Sequence, residues 1–149
     1  MLRKLALIVI TLWVGSLWMT GLSASILFDT IKDRQQAGLV AGHLFTAVSY
    51  LGLVCGVFLL IQRWVENGKA SLKQSFFWIV IVMLMLILIG HYGIQAHLVQ
   101  LKESAYPVDV MSSEYASQFG AWHGVSGAIY LIECLLGVAL VLKSVAHNN

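Results

Sequence analysis

Runs of apolar residues separated by short polar stretches organise the chain. The runs cover residues 5–28, 38–61, 76–98 and 118–142, and each exceeds the ~20 residues an α-helix needs to cross ~30 Å of hydrocarbon. They are rich in Leu, Ile, Val and Phe with scattered Gly. Such a run takes helical form in lipid because a helix satisfies its own backbone hydrogen bonds where no water can. The pattern predicts an all-α integral membrane protein, a four-helix bundle of up-down topology forming a single transmembrane domain over residues 1–149. The connections differ: residues 29–37 are short and mixed in charge, 62–75 are basic, and 99–117 are net acidic and carry the only proline, Pro107.

Composition supports that solvent. The chain is 59% hydrophobic and 11% charged, against roughly 25% charged residues in soluble domains. A net charge of +2, without a basic run or an aromatic-basic stripe, excludes nucleic acid as a partner. The expected partners are the lipid bilayer and a membrane protein or second copy.

Charge also predicts orientation. One side of the bundle holds Arg3, Lys4, Arg63, Lys69, Lys73 and Lys143 against Glu66, and the other holds Lys32, Arg34 and Lys102 against Asp29, Asp33, Glu103, Asp109 and Glu114. The basic excess places both termini in the cytoplasm and the first and third connections outside. Trp18, Trp64, Trp78 and Tyr106 lie near run ends, as interfacial anchors do. Arg3, Lys4 and the small triplet Ser23-Ala24-Ser25 imitate a signal peptide. The first run is longer than a signal core, so it is expected to stay as a span. Cys55 and Cys134 fall inside spans and read as buried, inert thiols.

Placing His43 over His123 aligns Ala41-Gly42-His43 with Ala121-Trp122-His123, Thr46 with Ser126, and Tyr50-Leu51 with Tyr130-Leu131. The second and fourth runs read as copies, as from a duplicated helical hairpin.

Polar residues inside the runs carry the chemistry. At 1.5 Å per residue, His43 and His123 lie roughly 7 Å inside the outer ends of their runs and His91 about 10 Å inside its own. His97 is near the boundary, about 120° around the helix from His91, so it is expected to face elsewhere. His123, Ser126, Gly127, Tyr130, Glu133, Cys134 and Gly137 share one helical face, and His43, Thr46, Ala47 and Tyr50 form a second stripe. Both are expected to face the bundle interior, because a polar group in hydrocarbon costs several kcal/mol.

Neutral imidazole ligates copper, zinc or haem iron. His43 and His123, on diagonal helices, suit a haem iron with one imidazole on each face, and Gly42, Gly90, Gly93, Gly124 and Gly127 would leave room for the porphyrin. One copper or zinc ion held by His43, His91 and His123 is the alternative, and it requires closer convergence. Met19, Met83 and Met85 form no repeated thioether motif. Glu133, near mid-bilayer, needs a partner or a proton, with Trp13 and Thr11 as candidate donors at its depth. No second acid accompanies it, so a packed, protonated Glu133 is expected over a proton relay.

Leu12-Trp13-Val14-Gly15, Ala37-Gly38-Leu39-Val40-Ala41-Gly42-His43-Leu44-Phe45 and Trp122-His123-Gly124-Val125-Ser126 resemble the four-helix transmembrane-protein-205-like family, a bacterial domain of unknown function. That family is distantly similar to copper-resistance D membrane proteins and to a four-helix haem-associated protoporphyrinogen oxidase. The resemblance covers nearly the whole chain and implies a bacterial inner-membrane protein that handles copper or haem. Two departures stand out: residues 23–28 lack the family's proline, and Tyr130 stands where an asparagine follows the His-Gly-x-Ser pattern. The leading expectation is a metal- or haem-binding protein with an outer-side histidine site, serving copper handling or electron transfer. A non-catalytic accessory or assembly subunit and a proton-coupled carrier using Glu133 are the alternatives.

Overall fold

A computed structural model describes residues 2–146, and all regular structure among them is helical. The elements are α1 (Leu2–Thr30), α2 (Arg34–Asn67), a 3-10 segment (Gly68–Lys73), α3 (Ser75–Leu88), a π-helical segment (Ile89–Gln95), α4 (Ala96–Ala105), a short 3-10 turn (Val110–Ser112) and α5 (Ala116–Ala146). They make four stretches long and apolar enough to cross a membrane, Leu2–Thr30, Arg34–Lys73, Ser75–Ala105 and Ala116–Val145. The protein is a multi-pass membrane helical bundle. Helices α1 and α3 each pack against both α2 and α5, which leaves α2 and α5 on a diagonal.

The helices outrun the apolar runs because local polar chemistry, not hydropathy, ends them. Asp33 caps α2, its carboxylate accepting from the backbone N–H of Gln35 and Gln36 at 2.9 and 3.2 Å. At its far end α2 passes the last apolar residue and stops at Gly68, whose φ of +53° is open to glycine and strained for other residues. The Ser71 hydroxyl then donates to the Arg63 carbonyl at 2.8 Å, folding the basic connection back on α2. The third span continues through the π segment into α4, seven residues beyond 98, and its end docks on α5. There Leu101, Ala105 and Val110 form a small apolar cluster with Tyr115 and Phe119.

The main core lies toward the end of the bundle where α1 begins and α5 ends, called here the terminal end. Trp13 is fully buried, packed with Leu17, Val48, Leu59, Val80, Met83 and Leu140. Small residues admit it. A Cβ added at Gly52 would stand 2.7 Å from Trp13 Nε1, and one at Gly56 would stand 2.6 Å from Leu84 Cδ2. On α5, Gly137 lets Val14 approach in the same manner, with 3.2 Å to an added Cβ. Because lipid tails are as apolar as these side chains, such contacts stabilise through packing and dispersion rather than through escape from water.

Candidate functional site

The opposite end, bearing the connections 31–33 and 106–115, is called the loop end. Along α5 one face changes character between the two ends. Glu133, Cys134 and Gly137 are buried, Ser126 and Tyr130 are half-buried, and His123, Gly124 and Gly127 are exposed. These residues share a single helical stripe, so the core thins along the helix while the direction stays fixed. An added Cβ at Gly120, Gly124 or Gly127 meets nothing within 4 Å. The same is true of Gly90 and Gly93 in the π segment.

Tyr130 marks the transition. Its hydroxyl donates to the Leu17 carbonyl, and its ring lies against Gly21, where an added Cβ would be 3.2 Å from Cε1. Phe45 from the diagonal helix meets the ring edge-on, with centroids 4.9 Å apart. Tyr130 thus ties α5 to α1 and α2 at the floor of the open half. Its repeat counterpart Tyr50 has a different environment, exposed and 5.2 Å from the His91 ring.

Helix α2 departs from the expected orientation. Its buried line runs through Ala37, Ala41, Val48, Gly52, Cys55, Gly56 and Leu59, and His43, Ala47 and Tyr50 are exposed off that line while Thr46 is half-buried. The close packing of α2 on α1 selects its small-residue face, so the polar stripe is turned toward the edge of the third span instead of the centre.

The histidines are also redistributed in depth. Packing pairs Gly56 with Leu84, Gly52 with Ile87 and Gly42 with Gln95, a register that sets His43 level with residues 94–97, about one turn beyond His91. His91 is half-buried and contacts Tyr50 and Tyr92 edge-on, at 5.2 and 4.8 Å between centroids. His97, expected to face elsewhere, turns toward α5: its ring is 5.2 Å from Trp122, and its Nε2 is buried without a hydrogen-bond partner. His91 and His97 therefore face different helices, as their spacing predicted, and the π winding of Ile89–Gln95 between them widens the separation. Hydrogen bonds from i to i+5 turn fewer degrees per residue, so residues beyond the segment depart from a wheel drawn at 100° per residue. Two glycines in Ile89-Gly90-His91-Tyr92-Gly93 are the sequence signal for that irregularity. His123 is exposed and stacks on Phe119 at 5.9 Å, and Lys102 reaches the same ring at 5.6 Å.

Among the described residues, no three His, Cys, Asp or Glu side chains gather as a metal-ligand set. The set His43, His91 and His123 is therefore not assembled as a three-donor centre. Glu133 is 6% exposed, but neither donor expected for it is bonded to it. Trp13 Nε1 faces Gly52 without a partner, and the Thr11 hydroxyl donates to the Leu7 carbonyl at 2.9 Å. Cys55 and Cys134 are free and buried, as expected of inert thiols. His147 lies outside the described residues.

Residues 8–107 match the model of a family described as a domain of unknown function, DUF4149. The chain belongs to this family. The matched region takes in the first three spans, with His43, His91 and His97, and ends before α5 with His123 and Glu133. No curated protein and no solved structure matches the chain. DUF4149 membership thus fixes kinship without an activity, and the site's chemistry has to carry the functional reading.

Proposed function

We propose that this DUF4149 protein binds haem in its loop-end half, through imidazole ligation by His123 and His43, and serves electron transfer or cofactor handling at the outer face of a bacterial inner membrane. The observation that carries the reading is the stripe of α5 that is unfilled at Gly120 and Gly127, holds the exposed His123, and lies near His97, whose Nε2 is buried without a partner. A single copper or zinc ion needs about four donors converging within ~2.3 Å of one point. A haem asks for open space and one or two imidazoles, which is what the loop end offers. His97 supplies a further imidazole, and its buried, unpartnered Nε2 is the kind of group that a ligand or water completes. When bound, the haem would supply one-electron chemistry; the protein supplies the imidazoles and a floor of Phe45 and Tyr130. The resemblance to the transmembrane-protein-205-like and copper-resistance D families supports the same class of ligand. The six-to-three basic asymmetry supports termini in the cytoplasm and the histidines outside. Reporter fusions after Gln62 and Asn149 should both report the cytoplasm.

Titration of purified wild type, His123→Ala, His43→Ala, the double variant and His97→Ala with haemin and with copper tests the proposal by absorbance and metal content. Two ligands on one iron act as a unit, so either single change should remove most binding and the double change should add little. Binding lost with His97 in place of His43 would move the second ligand to α4. Wild type binding neither ligand above the double variant defeats the reading.

A second reading rests on a separate observation. The loop-end half of α5 exposes Val125 and Ile132 on one side, an apolar face that another membrane protein would cover if the protein is an assembly subunit. Co-purification with a defined complex, without a haem spectrum, would favour it.

A further inference from the structure

At the terminal end, away from the histidines, α1, α2, α3 and α5 surround a small cleft lined by Arg3, Ala6, Ile10, Gln62, Arg63 and Phe76, with Ser144 at its edge. Its enclosed part has room for about one water molecule, so any larger ligand seats at the mouth. The walls divide by chemistry. Arg3, Gln62 and Arg63 are polar, while Ala6, Ile10 and Phe76 continue the apolar surface toward mid-membrane.

Arg63 is the unusual member. It is only 8% exposed, its guanidinium lies 4.3 Å from the centre of the Phe76 ring, and its Nε has no hydrogen-bond partner. Gln62, 5% exposed, has an unpartnered Oε1. Glu66, one turn further along α2, keeps its own Oε2 buried and unpartnered, so these atoms of Glu66 and Arg63 do not complete each other. A buried guanidinium with an open donor, and a second arginine on the same cleft, is a costly arrangement in a protein interior. A water in the enclosed part can complete the buried Nε, and an anion at the mouth then relieves the like-charge repulsion that a water leaves in place.

We propose that this cleft binds a phosphate group, carried by an anionic phospholipid with a hydroxyl-bearing headgroup such as phosphatidylglycerol. Arg63 and Arg3 hold the phosphate. The water in the enclosed part bridges the Gln62 amide to the headgroup hydroxyl, which both donates and accepts and so suits either amide orientation. The apolar side of the mouth favours a lipid over free phosphate, because an acyl chain can lie along Leu7, the exposed apolar residue of the lining, where an inorganic ion would face hydrocarbon. Basic pockets between helices at the membrane surface are a recognised setting for anionic headgroups.

The test is native mass spectrometry of the full chain in detergent with equimolar phosphatidylglycerol and phosphatidylcholine, repeated with inorganic phosphate as competitor. Wild type should retain phosphatidylglycerol preferentially, and Arg63→Gln and Arg3→Gln should each weaken that retention about fivefold. Lys69→Gln, an exposed charge on the same end, should leave it unchanged. Arg3 is exposed, so Arg3→Gln keeps the fold and decides the matter even if Arg63→Gln does not fold. Equal retention of the two lipids, or a loss in Lys69→Gln as large as in Arg3→Gln, overturns the site in favour of diffuse surface charge. Displacement by inorganic phosphate at equal concentration overturns the lipid assignment in favour of a free anion.

Discussion

Along α5 the two ends of the bundle use glycine in opposite ways. At the terminal end Gly137 is filled from outside by Val14, as Gly52 and Gly56 of α2 are by Trp13 and Leu84. At the loop end Gly120, Gly124 and Gly127, on the same helix as Gly137, have no neighbour where a side chain would be. Close helix packing explains the first group. It leaves the second unexplained, since an unfilled glycine in a helix costs about 1 kcal/mol relative to alanine without gaining a contact. The contrast divides α5 into a packed part that holds the fold and an uncovered part where the proposed ligand would sit.

Removing the packed half's centre should have the largest effect. Trp13→Ala empties a site with no exposed surface and should destabilise the protein by about 3–5 kcal/mol, read from unfolding in mixed detergent. A matched glycine pair sharpens the comparison. Gly56→Ala drives a methyl to 2.6 Å from Leu84 Cδ2 and should cost about 1–3 kcal/mol, while Gly127→Ala should leave stability unchanged or raise it by up to ~1 kcal/mol. Equal losses at both positions would erase the distinction between the ends. Tyr130→Phe, which removes the hydroxyl bonded to the Leu17 carbonyl at the boundary, should cost about 0.6 kcal/mol, an average intramembrane hydrogen bond. Glu133→Gln should be smallest, within about 0.5 kcal/mol, because the amide has nearly the shape of the carboxyl it replaces. A larger loss would show that Glu133 has an ionic role.

Spans and up-down order were legible in the sequence because hydropathy over 20 residues reports the solvent directly. The α5 stripe was legible in part: Glu133, Cys134 and Gly137 are buried and Ser126 and Tyr130 half-buried as an inward face requires, whereas His123 and Gly127, expected in the interior, are exposed. Two features of the site were not. The exposed side of α2 was set by which face α1 selects, and Ala41, Val48, Gly52 and Cys55 won that face by size rather than by polarity. His97 points away from His91 as its spacing indicated, but its contact with Trp122 was not legible, because it depends on how the third span docks on α5. Arg63 shows the same limit from the other side. Its charge is readable as a topology signal, but its burial depends on α2 running on past the apolar run to Gly68.

Thiol accessibility tests the central claim, an open ligand-binding half joined to a closed packed half. A Gly127→Cys variant carries its new thiol in the open stripe, and the native Cys55 and Cys134 serve as buried references. With a water-soluble maleimide, the thiol at position 127 should label while Cys55 and Cys134 stay unmodified, and prior addition of haemin should protect it. Labelling at 127 no faster than at Cys55, or labelling that haemin leaves unchanged, would contradict the account.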